Sequence, residues 1–132
     1  MVMAIGLADA AHAGEIRVTV LDNDGRPVPG VAVYVEDATP RSAPAGTSAI
    51  MDQVDQRFVP HLLVVQTGTL VELPNRYILA HHVYSFSHTN HFKLHIYKGH
   101  AHATVSFDEN GLFVLGCNIH DHMLAYILVV DT

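Results

Sequence analysis

The residues with the clearest chemical potential are a cysteine, a histidine and a methionine that lie close together in the last fifth of the chain. Cys117, His120 and Met123 follow an apolar run at residues 112–115 and precede another at residues 124–130. A tight connection between two predicted strands therefore carries a thiolate, an imidazole and a thioether. These three donors together suit copper better than other common metals.

A mononuclear copper site also needs a second imidazole, because two histidines and one cysteine with a weak axial thioether suit both Cu(I) and Cu(II). The best candidate lies in residues 75–86, where a turn leads into a predicted strand that begins at His81 and His82. His82 alternates to the opposite face of that strand from His81, so we expect it to support the site or to lie exposed. The predicted ligand set for one copper ion is therefore His81, Cys117, His120 and Met123.

Three other interpretations of this motif remain open. An isolated cysteine is most often a small buried hydrophobe. Structural zinc held by Cys117, His120, His81 and a fourth donor fits the tetrahedral sulfur and nitrogen sets that zinc accepts. A cysteine hydrolase is the weakest alternative, because a histidine three residues along a short loop is better placed to share a metal than to abstract a proton. We therefore predict that the protein is not an enzyme.

Length and composition restrict the class of protein. The chain has 132 residues, enough for one ordinary core, and a formal net charge of -6. No basic patch is available to neutralise phosphates, so nucleic acid is not an expected partner. The single cysteine excludes an internal disulfide, and the 11 histidines are the unusual feature of the composition.

The first thirteen residues resemble the end of an export signal. They are apolar and finish in Ala11, His12 and Ala13, which have the small-x-small form of a signal-peptidase site. We expect residues 1–13 to be a residual signal peptide and residues 14–132 to form a single domain in the periplasm. No other segment approaches the ~20 apolar residues that a membrane span requires.

Alternating apolar residues predict an all-β fold. Strands are expected at residues 15–21 and 31–35, which would form a hairpin, and at many short apolar segments from residue 51 onward. A short helical turn is considered near residues 48–56. Many short strands without an amphipathic helix indicate an antiparallel sandwich or barrel of about 7–9 strands.

Two motifs together resemble the cupredoxin superfamily over roughly residues 58–131. The first runs from Pro74 and Asn75 to the His81-His82-Val83 strand start, and the second is Gly116-Cys117-x-x-His120 before the last strand. They are most similar to the plastocyanin-like group often labelled methylamine utilization proteins. The resemblance implies a Greek-key β-sandwich in which His81, Cys117 and His120 bind copper. Met123 comes earlier than the axial methionine of plastocyanin, so His122 is the alternative axial donor.

A second, weaker metal site is considered at His95 and His102. If Lys98 and Gly99 form a two-residue hairpin turn, these histidines lie directly opposite each other and could share an exposed ion. A four-residue turn would break that pairing. A solvated polar strand face is the plainer interpretation of the same residues.

Two functions fit these observations. The first is a periplasmic copper protein that carries single electrons to or from a protein partner that the sequence does not identify. Residues 77–80 are apolar and could serve as its docking patch. The second is a copper-binding or copper-tolerance protein that uses the same site, with its surface histidines, to sequester or transfer the ion.

Overall fold

The structure is a computed structural model with ten strands and no helix among the residues that it describes. The described residues are 16–36, 39–75, 80–87, 90–93 and 101–132. The expected signal peptide at residues 1–13 lies outside them. No helix in this part of the chain is long and apolar enough to cross a membrane.

The first sheet is arranged around one long strand. Its members are β1 (Ser48–Ile50), β2 (Asp52–Val54), β3 (Arg57–Val59), β5 (Thr69–Asn75) and β8 (Ala101–Phe107). Strand β8 pairs antiparallel with the whole of β5, and β1 and β2 both pair parallel with β5. Because β8 occupies one edge of β5, β1 and β2 share the other edge, and β3 continues the sheet beyond β2.

The second sheet carries both metal-site motifs. Its members are β4 (Leu62–Gln66), β6 (Val83–Ser87), β7 (Asn90–Lys93), β9 (Gly111–Cys117) and β10 (Leu124–Val130). They lie in the order β4-β10-β9-β6-β7, with β4 parallel to β10 and the other pairs antiparallel. Strands β9 and β10 are therefore neighbours joined by the short loop that contains His120.

Burial alternates along most of β5, β9 and β10, and the inward side chains of these strands build the core between the sheets. In β9, Phe113, Leu115 and Cys117 point inward, while Leu112 and Val114 are exposed. The rings of Phe107 and Phe113 meet edge to face with centroids 4.9 Å apart, a favoured aromatic arrangement. Burial of these apolar side chains is the main contribution to folding.

The predicted all-β sandwich is confirmed, with one refinement in the direction of its strands. The β1–β5, β2–β5 and β4–β10 pairs are parallel. Alternation indicates which residues face the core, but it does not distinguish a parallel neighbour from an antiparallel one.

Two local predictions are wrong. Residues 48–56 form β1, β2 and a turn instead of a helical turn. The hairpin expected at residues 15–21 and 31–35 is absent from the described part, where only the isolated bridge between Leu21 and Pro27 occurs. Ile16 is 78% exposed and Val33 is 58% exposed. Apolar alternation predicts a strand only if a partner strand is available to it, and in the part of the chain that the structure describes residues 31–35 pair with no strand.

A pair of leucine substitutions in β9 tests this core. Leu115→Ala should lower the free energy of unfolding of the metal-free protein by about 2–5 kcal/mol, because it leaves a cavity between the sheets. Leu112→Ala removes the same atoms from a side chain that is 53% exposed and should cost less than about 1 kcal/mol. Urea unfolding followed by circular dichroism measures both. Equal losses for the two variants would contradict the assigned faces of β9.

Candidate metal centre

The register between β6 and β9 brings the two sequence motifs to one end of the sandwich. Val83 pairs with Cys117, and Ser85 pairs with Leu115. All four side chains are buried, so Cys117 is the last inward-facing residue of β9. His81 precedes Val83 by two positions and lies on the same inner side. It is therefore directed toward the loop that follows Cys117.

His81 is fully buried, with 0% exposure. Its Nδ1 lies 2.7 Å from Oε1 of Gln53, which belongs to β2 in the opposite sheet. Its Nε2 is buried and has no hydrogen-bond partner. A buried polar atom without a partner is costly, and a metal ion is one way to satisfy an imidazole nitrogen of this kind.

His120 contacts two of the other predicted ligands, His81 and Cys117. Its ring meets that of His81 edge to face, with centroids 5.0 Å apart at 84°. Its Nδ1 lies 3.9 Å from Sγ of Cys117. His120 therefore contacts both residues, although the two motifs are far apart in the sequence.

The contacts of His120 with His81 and with Cys117 join these residues only two at a time. Within the residues that the structure describes, no three His, Cys, Asp or Glu side chains form a group able to hold a metal ion. The donor types nevertheless fit copper, because a thiolate sulfur and two imidazoles match the ligands of trigonal copper sites. The unpartnered Nε2 of His81 is the structural observation that favours a metal at this position.

The two candidate axial donors differ in burial. Met123 is 2% exposed and belongs to the same core cluster as Cys117. Its backbone N–H donates to the carbonyl oxygen of His120 over 2.9 Å, which closes a tight turn. His122 is exposed, and its ring centroid lies 6.1 Å from that of His120. Met123 is therefore enclosed in the same core as Cys117, whereas His122 faces solvent.

His82 and Asn118 connect the two motifs outside the donor set. The backbone N–H of Asn118 donates to the carbonyl oxygen of His82 over 3.1 Å. The Asn118 amide also lies 3.3 Å from His82 Nδ1. These contacts extend the β6–β9 pairing past Cys117, and the role of His82 stays a prediction.

The electrostatic environment of His81 disfavours its protonated form. Burial lowers the pKa of His81 below its usual value of 6.5, and repulsion from His120 lowers the pKa further. A neutral imidazole retains a free nitrogen lone pair, which is the form that binds metals.

The second metal site and the docking patch, both expected from the sequence, lie largely outside the described residues. His95 lies outside the described residues, as do residues 77–79 of the expected docking patch. For His102 the structure describes the backbone, which pairs with Pro74 in β5. The second metal site therefore stays a prediction. Gln53 was missed, because it is 28 residues from His81 and no local motif marks it.

Comparison with known proteins identifies the fold. No protein-family model matches the sequence, and no curated protein matches it. Among solved structures, a reduced variant of amicyanin is 20% identical, with a TM-score of 0.59, and the match covers 73% of this chain and 96% of that one. A Cu(I) variant of amicyanin is 20% identical, with a TM-score of 0.59, over 64% and 84% of the two chains.

Amicyanin from Paracoccus versutus gives the same result at 17% identity, with a TM-score of 0.57 and coverage of 73% of this chain and 95% of that one. Two oxidised variants of amicyanin are also among the similar structures. At this level of identity the similarity shows the fold. The chain has the cupredoxin β-sandwich fold, which confirms the fold implied by its sequence motifs.

The lowered pKa of His81 predicts how acid affects the metal-free protein. Below pH 6.5 the unfolded chain protonates this histidine more readily than the folded chain, so stability should be greatest above that pH and decrease as the pH falls. Urea unfolding between pH 7.5 and 5.5 measures the slope. We expect His81→Gln to weaken the slope. An unchanged slope in His81→Gln would contradict the assigned burial.

Proposed function

We propose that this protein is a periplasmic, mononuclear copper protein of the type 1 kind that carries single electrons. The observation that carries the proposal is the contact of buried His81 with His120, which in turn contacts Cys117, on a cupredoxin fold. His81, Cys117 and His120 would hold the ion, with Met123 as the axial donor. Copper bound there would supply a one-electron exchange between Cu(I) and Cu(II).

The chain's contribution would be to hold the donors in place while the charge of the ion changes. His81 is held by Gln53, and the loop after Cys117 is held by the bonds from Asn118 to His82 and from Met123 to His120. Donors fixed by supporting contacts keep the site geometry within narrow limits. A rigid site of this kind favours rapid electron exchange over release of the ion.

An apolar groove beside the cysteine also supports a carrier role. Tyr84, Gly116 and Leu124 line it on the outer face of the second sheet. The Tyr84 ring lies so close to Gly116 that a Cβ at that position would be 2.6 Å from its Cζ. Since Gly116 precedes Cys117, a protein partner in this groove would be separated from the inward-facing thiolate by the backbone of β9. The identity of such a partner remains open.

The location of the protein is part of the proposal. Residues 1–13 resemble the end of an export signal. The periplasm is an oxidising compartment in which disulfides form, and the single cysteine, Cys117, is buried, which is compatible with export. A periplasmic site would also bring the protein together with other exported redox proteins.

The alternative is copper sequestration or transfer without electron transport. The 11 histidines favour it, as does the exposed position of His122 next to the candidate site. Under this alternative we expect more than one copper ion per chain, because accessible imidazoles would add binding capacity.

Copper titration with voltammetry separates the two functions. A carrier should bind one copper per chain and give a reversible potential with fast self-exchange. Met123→Leu should raise that potential by roughly 60 mV, the equivalent of a tenfold change in relative affinity, because Cu(II) loses more than Cu(I) when an axial donor is removed. His122→Gln is the matched control and should leave the potential unchanged. Binding of several ions without a reversible wave would favour sequestration.

A further inference from the structure

Three of the four predicted copper ligands are enclosed by the protein. His81, Cys117 and Met123 are each at most 3% exposed. His120 is half-buried, so in the part of the chain that the structure describes it is the predicted ligand that solvent reaches most easily. A copper ion that comes from solvent would therefore meet His120 before it meets the other donors.

The loop after β9 lies between the starts of β6 and β4 in the second sheet, and contacts close it on both sides. On the β6 side, the backbone N–H of Asn118 donates to the carbonyl oxygen of His82 over 3.1 Å. On the β4 side, Nδ1 of His61 lies 3.0 Å from the carbonyl oxygen of Leu124. The turn at residues 120–123 lies between these two closures.

His122 lies at the solvent side of this turn. It is exposed, and a backbone hydrogen bond of 2.9 Å from Met123 to His120 closes the turn that carries it. The ring centroids of His120 and His122 are 6.1 Å apart. Two imidazoles that share one ion have about this separation, because each metal–nitrogen bond is about 2 Å long and each centroid lies about 1 Å behind its nitrogen.

We propose that His122 and His120 form an entry site that captures a copper ion at the protein surface and passes it to the buried donors. The inference rests on the proposed copper centre. It gives His122 a function in loading that is distinct from ligation of the bound ion. An exposed side chain changes rotamer rapidly, so His122 can reach an incoming ion and then release it.

The chemistry of the entry site suits capture followed by transfer. Imidazole nitrogens bind copper, and the exposed carboxylate of Asp121 lies between the two histidines on a chain of net charge -6, which attracts cations. Two imidazoles hold an ion more weakly than a set that also contains a thiolate. Nδ1 of His120 lies 3.9 Å from Sγ of Cys117, so His120 belongs to both the entry site and the buried donor set.

The rate of copper loading tests the entry site. When metal-free protein is mixed with Cu(II) at pH 7.5 in a stopped-flow instrument, growth of the thiolate-to-copper absorption reports arrival of the ion at Cys117. His122→Gln should lower the second-order rate constant of loading about tenfold, because two linked donors capture an ion better than one. His61→Gln is the matched control. It removes another exposed histidine at the same end of the sheet and should load at the wild-type rate.

The rate of copper release distinguishes an entry residue from a ligand. The ion passes an entry site in both directions, so His122→Gln should slow loading and release by the same factor. Release is measured with a chelator at concentrations where the rate no longer depends on the chelator. The affinity, the visible band and the potential should keep their wild-type values, since none of them depends on the route of entry. An altered band or a loss of affinity would show that His122 binds the resident ion and would overturn the inference.

The loading experiment also separates the entry site from the copper centre. His122→Gln that loads at the wild-type rate and reaches the full band would overturn the entry site with the copper centre intact. A wild-type protein that develops no band would contradict the copper centre and the entry site together. Because His122 is exposed, we expect the metal-free variant to unfold in urea at the wild-type midpoint.

Discussion

The antiparallel register of β6 and β9 is the constraint on which the candidate metal centre depends. Because Val83 lies opposite Cys117, the histidine two positions before β6 and the cysteine at the end of β9 face the same interior. A slip of one residue in either strand would turn one of these donors toward solvent. The buried pairs along both strands oppose such a slip, so the packing of the apolar core also positions the polar end of the sandwich.

That polar end is connected across the two sheets by a hydrogen bond. His81 lies just before β6 of the second sheet and Gln53 belongs to β2 of the first, and both are buried. Burying two polar side chains is costly unless their hydrogen bonds are satisfied. The amide of Gln53 meets this condition through Leu73, Pro74 and His81. Nε2 of His81 does not, and this single exception is the feature that a bound metal ion would explain.

Much of this arrangement can be predicted from the sequence, and physical reasons explain why the rest cannot. The apolar run before Cys117 predicts the strand β9, and residue chemistry identifies Cys117, His81 and His120 as donors, but a run that is apolar throughout does not indicate which of its residues face the core. The role of Gln53 depends on a parallel pairing of short strands, at Gln53 and Asn75, which local patterns do not encode. For residues 31–35 the local pattern predicts a strand that does not form. Their apolar residues alternate, but no partner strand pairs with them in the described part of the chain.

The central claim is that Cys117 binds copper together with His81 and His120. Cu(II) bound by a thiolate absorbs visible light strongly through charge transfer, whereas zinc and an inert buried thiol give no colour. The most direct measurement is therefore the visible and EPR spectrum of the purified protein after one equivalent of Cu(II), with Cys117→Ser as control. The account predicts an intense visible band and an EPR signal of one bound Cu(II), with the band absent from Cys117→Ser. A wild-type protein that stays colourless would contradict it.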